Sequence, residues 1–212
     1  MRVRLLIGAL WAGLLSPMAA APLEHDLGHG LRLYRLHELP DDLPPAPAGS
    51  GKVPPCVVDV RYVKADSDAA TAFVAWLKFR AKPRSPVFVL ANGASASAVL
   101  GALAKREKDG GIVVIGPPNR MLEPDIAVRV SGDDERRAYE ALEKGTAVSA
   151  LLTDNPDKVR NDEASLSRDR LAEASADTAA DALAPKRTAP PVDASLQRAV
   201  HLHRALVALR KL

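Results

Sequence analysis

The chain has 212 residues and a formal net charge of +3, two units of which come from Arg2 and Arg4 near the amino end. A balance this close to neutral leaves no clustered Lys and Arg to neutralise phosphates, and an aromatic content of 4% leaves no base-stacking platform, so the composition argues against a nucleic-acid partner. A single cysteine, Cys56, rules out an internal disulfide, and its place beside Val57 and Val58 reads as a small buried hydrophobe rather than a reactive thiol.

The elements follow in chain order. Arg2 and Arg4, an apolar stretch over 5–15 and the small residues Ala19 and Ala20 have the form of a signal peptide over 1–20, too short in its apolar part to span a bilayer. A periplasmic or secreted location follows, with no membrane span after cleavage. Residues 31–36 alternate apolar and polar, the pattern of a half-buried antiparallel or edge strand, and 40–55 is a Pro- and Gly-rich loop. Together, 21–55 form an amino-terminal strand and loop. A strand is then expected over 57–62, and a helix capped by Ser67 running to about 81. Residues 87–91 form a second buried strand, and a helix is expected over about 95–108, ended by Asp109-Gly110-Gly111. Strands over 112–115 and 126–130 follow, then a helix capped by Ser131, with Asp134 and Glu135 at its positive end, reaching about 144. Apolar strands alternating with helices predict an α/β core over 56–154, a mostly parallel sheet with helices on both faces. Residues 155–192 carry few large apolar groups and read as a poorly packed linker, with a polar helix conceivable over 163–183. The end, 193–212, regains helical periodicity through Leu196, Val200, Leu206 and Leu209, and is expected to dock on the core.

The run from Val87 to Ala98 is the most telling for function. A buried strand ends at Asn92-Gly93, and Ser95 and Ser97 then open a helix whose free N–H groups point outward, where a hydrolase places a nucleophile and an oxyanion site. Capping of the helix is the plainer role for Ser95. His25 and His29 have metal-like spacing only on a helix, which Gly28 and Gly30 oppose, and His201 and His203 point in different directions. No metal and no organic cofactor is expected. Asp59 and Arg61 are expected to brace loops through hydrogen bonds.

Five segments in order are similar to the S41 family, the tail-specific or C-terminal processing peptidases, within the ClpP/crotonase-type fold. Val57-Val58-Asp59-Val60-Arg61 resembles that family's strand ending in Asp-Leu-Arg, and 89–101 resembles its strand leading into a Ser-Ala-Ser helix. Residues 112–116 resemble the next strand, ending in Ile-Gly; Pro124-Asp125-Ile126-Ala127-Val128 resembles its Pro-Asp-Val-x-Val run; and 192–199 resembles its closing Asp-x-x-Leu-x-x-Ala helix. The resemblance puts Ser95 on the nucleophile and the Ala96 amide on one oxyanion donor.

The departures are as informative. The family's activating lysine sits on a Gly-Lys-Gly turn after the third strand, whereas Gly116 here is followed by Pro117-Pro118-Asn119-Arg120 and soon by Pro124-Asp125. Arg120 cannot deprotonate, and Lys105, on the serine's own helix about three turns along, lies far from it. Lys64, at the end of the neighbouring strand, is the remaining candidate base. The family's glycine-rich turn after the first strand is replaced by Tyr62-Val63-Lys64-Ala65, whose bulk disfavours an unusual backbone. No PDZ-like module is visible upstream. Two readings result: an exported, catalytically impaired S41-like module binding a peptide or protein, or an active periplasmic serine endopeptidase using Ser95 with a rearranged base.

Overall fold

The computed structural model describes residues 23–45, 53–108, 110–152 and 191–212. The expected signal peptide and nearly all of the 155–192 linker lie outside the described residues. Six strands form one sheet: β1 (Leu23–Asp26), β2 (Arg32–Arg35), β3 (Cys56–Asp59), β4 (Val87–Leu90), β5 (Ile112–Gly116) and β6 (Ile126–Ala127). They lie side by side in chain order, with β1 antiparallel to β2 and every later pair parallel. The expected strand over 31–36 is therefore antiparallel to one neighbour but is no edge. Leu23–Asp26, not anticipated as a strand, takes the edge by pairing Leu23 with Arg35 through Asp26 with Arg32.

The helices among the described residues are α1 (Ser67–Arg80), α2 (Ser97–Ala104), α3 (Gly132–Glu143), α4 (Val148–Leu151) and α5 (Ala194–Ala208). Because the chain steps one strand at a time in one direction, the crossovers through α1 and α2 fall on the same face, where the two helices pack together. Side-chain alternation divides the core accordingly. Val58, Val60, Val87, Val89, Ile112 and Val114 meet Phe73, Leu77, Leu100 and Leu103 of α1 and α2. Leu33, Val57, Phe88, Leu90 and Ile115 point the other way, onto Leu142, Leu151, Leu196 and Val200. Docking of the last helix is thus as expected.

Boundaries differ from expectation where side chains outcompete propensity. Asp66, not Ser67, caps α1, its carboxylate accepting the Ala69 N–H at 2.8 Å. Ser131 caps α3 as expected, accepting the Asp134 N–H at 3.1 Å. The strand expected over 126–130 pairs only through Ile126 and Ala127. Just ahead of it, the Asp125 carboxylate takes the β5 amide of Val114 at 2.8 Å and an ion pair from Arg106, extending the ladder with a side chain. Gly116 lies so close to β4 that an added Cβ would overlap the Ala91 carbonyl oxygen. The chain leaves the described core after Leu152 and rejoins it at Pro191 in the same place, since Asp193 N–H donates to Leu151 O at 3.0 Å.

Candidate binding site at the carboxyl edge of the sheet

Parallel strands end on the same side, so the segments following β3, β4 and β5 converge with the first turn of α3. In open α/β sheets ligands bind outside the carboxyl ends of the strands where the strand order reverses; here the order does not reverse, and the cleft forms instead between these segments and α3. Here the edge is built on buried charge. Alternation places Asp59 on the same face as Val57, and Arg35 on the same face as Leu33, so both side chains enter the layer below α3 and α5. Asp59 and Arg61 are joined twice, Nε to Oδ1 at 2.9 Å and Nη2 to Oδ2 at 2.8 Å. The other side of the Arg61 fork grips Asp193 at the start of α5, at 3.0 and 2.7 Å. Arg35 Nε donates to Asp59 at 3.2 Å, while its Nη1 reaches the Tyr139 carbonyl at 2.9 Å and Glu143 at 3.1 Å. Arg35, Asp59 and Arg61 are fully buried.

Burial by itself would raise the Asp59 carboxyl, but Arg61 and Arg35 outweigh it and hold Asp59 below the usual carboxylate range. Burial would likewise lower Arg61, yet Asp193 and Asp59 push it well above its ordinary value. Burial, followed by the Asp59 charge, lifts Tyr139 to about 12. The expectation that Asp59 and Arg61 brace loops is met, and extended: they pin the last helix to the sheet.

Asn92 carries the network into the cleft. Its Oδ1 accepts the Ala94 N–H at 3.0 Å and its Nδ2 donates to Glu135 Oε2 at 3.0 Å. Glu135, 4% exposed, also accepts from Ser195 at 3.4 Å and lies 3.6 Å from Arg61. Tyr62 packs edge-on against Tyr139 with centroids 4.7 Å apart, and the Arg136 guanidinium lies 5.5 Å above the Tyr62 ring. Tyr62 has φ of 63°. Its bulk was expected to oppose such a backbone, but the ring contacts and the buried Arg61 beside it hold the turn in that region. A cleft of about 480 Å³ opens here, lined chiefly by Tyr62, Asn92, Gly93, Ala94, Pro117 and Arg136.

Ser95 is near this cleft but not among the residues that line it. It is 5% exposed, and its Oγ accepts the Asn92 N–H at 3.1 Å while its own N–H donates to Asn92 O at 3.2 Å. Ser95 therefore closes a tight turn and neither begins nor caps the helix. The cap of α2 is Ala96, with φ −52° and ψ 133° and no side-chain hydrogen bond, and the helix runs over Ser97–Ala104 rather than 95–108. As N-cap, Ala96 presents an amide outside the helical ladder. The structure does not bring Lys64 to the serine. Its N–H donates to His37 O at 2.8 Å and its carbonyl accepts from Leu39 at 3.0 Å, on the β2 side of β3, whereas Ser95 follows β4 on the other side. Among the described residues no lysine or histidine hydrogen-bonds Ser95.

The remaining candidates are likewise separated from this edge. His25 belongs to β1 and His29, with φ of 53°, to the turn after it, so no helix aligns them. Among the described residues no group of three His, Cys, Asp or Glu side chains is placed to hold a metal ion. Cys56 is buried, its Sγ accepting Arg80 Nε at 3.1 Å, and burial pushes the thiol up. No helix among the described residues is long and apolar enough to cross a membrane.

Sequence reasoning missed Arg35, Glu135, Tyr139 and Asp193 as site residues. Arg35 left one signal, a charge at an inward position of an alternating strand. Asp193 left another, the Asp opening the Asp-x-x-Leu-x-x-Ala run, whereas Glu135 read only as a first-turn helix acid and Tyr139 as an ordinary helix residue until the fold juxtaposed them. Comparisons with family models, with characterised proteins and with solved structures find no match for this chain.

Proposed function

We propose that this is an exported relative of the S41 peptidases, with their ClpP/crotonase-type fold, that has lost catalysis and binds a peptide or protein segment at the carboxyl edge of its sheet. The observation that carries this reading is the Ser95 hydroxyl, buried and turned back onto the Asn92 N–H, outside the lining of the cleft. A serine hydroxyl without a base is a weak nucleophile. General-base assistance is worth roughly 10²–10⁴-fold, so even a hydroxyl released from its turn would react slowly. The cleft beside it has features suited to an extended chain: the exposed residues Gly93 and Ala94, an aromatic face at Tyr62, and charge of both signs at Arg136 and Asp133.

The purified chain is expected to resist fluorophosphonate labelling and to leave unstructured peptides uncut. In a screen of unstructured peptides, binders should shift the NMR signals of Gly93, Ala94 and the Tyr62 ring, and Arg136→Ala should weaken them. Strong labelling that disappears in Ser95→Ala would restore the endopeptidase reading. A screen in which no peptide perturbs the cleft would remove the binding role.

A further inference from the structure

The last helix is secured at its far end by a histidine. His203 Nε2 lies 3.1 Å from the carbonyl oxygen of His29, in the turn between β1 and β2. A carbonyl only accepts, so Nε2 carries the proton and Nδ1 of the neutral ring is a bare acceptor. That Nδ1 is buried with no hydrogen-bond partner, and the residue as a whole is 1% exposed. The ring meets Phe88 of β4 edge-on, with centroids 6.5 Å apart.

Protonation adds an N–H at Nδ1 and a charge to the ring, and the surroundings satisfy neither. The adjoining cleft of about 460 Å³ is lined by Pro54 and Pro55 ahead of β3, by Val207, by the cationic or titratable His29 and Arg210, and by Leu212, whose α-carboxylate is the one anionic group among the lining residues; no Asp or Glu side chain lines it. From β4, Phe88 faces the ring, and Arg204 follows His203 by one residue on α5. Asp26, at the end of β1, is engaged by the Gly28 N–H at 2.8 Å. Burial holds the imidazole below its ordinary value; the hydrogen bond to His29 opposes this, and the His29 charge adds to it.

We propose that His203 is an acid-released latch: neutral, it pins the β1–β2 turn to the carboxyl-terminal half of α5, and protonated, it frees both and uncovers the Phe88 side of the sheet. α5 covers β4 and β5 on this face, so release at its far end opens apolar surface while Arg61 and Asp193 still hold its start. The device is separate from the carboxyl-edge cleft, because His29, Pro54 and Pro55 lie at the opposite ends of the strands.

Hydrogen exchange of the full chain, corrected for intrinsic rates, tests it. Amide protection over 200–208 should fall as the pH is lowered through about 6.5, by up to about tenfold per pH unit, the slope that one proton sets. Protection over 194–198 should change less. His203→Gln keeps a side-chain donor for His29 and cannot titrate, so its protection should be level over the same range, while His25→Gln should still show the loss. An NMR titration of His203 in the unaltered chain gives a second readout, with a midpoint below that of the unfolded chain. Protection of α5 that does not depend on pH, the same loss in His203→Gln, or a His203 midpoint at or above the unfolded one would overturn the proposal.

Discussion

At the scale of single residues, charge and hydrogen bonding decide what each side chain at the carboxyl edge can do. Ser95→Ala removes an acceptor from the Asn92 N–H inside a buried turn, so stability should fall by about 1 kcal/mol, read by urea unfolding, and on the proposed reading no hydrolysis rate should change with it. Asp193→Asn should be harsher. It breaks a buried pair and leaves Arg61 with one carboxylate partner fewer, a loss of roughly 3–5 kcal/mol if relaxation is limited. Replacing Arg61, Asp59 and Asp193 together by apolar residues of similar volume should not recover that loss, because it leaves the buried Arg35 without Asp59 and the buried Glu135 without Arg61. A triple variant as stable as the unaltered chain would show that the network contributes no net stability. Gly116→Ala drives a Cβ into the Ala91 carbonyl and should destabilise by about 1–3 kcal/mol, whereas Gly101→Ala, with open space around it, should be nearly neutral or stabilising.

At the scale of elements, the last helix belongs to the core although a long stretch of sequence separates it from α4. Asp193 N–H meets Leu151 O, so the described residues on either side of 153–190 lie together. Joining 152 to 191 through about six Gly and Ser residues should leave the sheet and α5 in place. Loop-closure entropy then predicts a gain of roughly 1–2 kcal/mol, at about 0.6 kcal/mol for each halving of loop length. A truncated chain that loses α5 docking, seen as lost protection over 194–208, would show that the omitted residues hold it. Truncation before 191 should be far more damaging, because it exposes Phe88, Leu90 and Ile115 and leaves Arg61 without Asp193.

At the scale of the whole molecule, stability should decline with acid in two steps of the same sign. His25 is held below its ordinary value by burial and by Arg35, and His203 by burial, so the unfolded chain takes up these protons first. Their contribution is complete above the unfolded value of about 6.5 and is lost as the pH falls below it. Asp59 is held low against its burial by Arg61 and Arg35, and Glu143 against its burial by His37 and Arg35. Their contribution is present above the usual carboxylate range and lost as the pH falls through the lower folded values. Above pH 10 the sign reverses, because Tyr139, raised to about 12, resists an ionisation that the unfolded chain welcomes. Thermal unfolding against pH should therefore show a plateau from neutral to mildly alkaline conditions, flanked by declines. A Tm that rises between pH 6.5 and 5 would contradict the histidine part.

Local chemistry alone determined the alternation of strands and helices from Cys56 to Lys144, the parallel order of β3, β4 and β5, and the docking of the final helix. Each is written in runs of neighbours: Val87-Phe88-Val89-Leu90 is apolar on both faces, as a strand covered on both sides must be, and Leu196, Ala199 and Val200 recur at helical spacing. The same chemistry could read Ser95 only as a serine between a strand and a helix, with capping the plainer role and nucleophile the alternative. Tertiary structure alone decided that its hydroxyl closes a turn on Asn92, that Lys64 is drawn to the β2 side, and that Arg35, Asp59, Arg61, Glu135 and Asp193 form one buried network. It also decided that Leu23–Asp26 is an edge strand and that Tyr62 takes a left-handed backbone. The division has one physical cause. Periodicity and capping act between residues a few positions apart, so they are legible along the chain, whereas Arg61 and Asp193 stand 132 residues apart and meet only when the sheet brings β3 beneath α5.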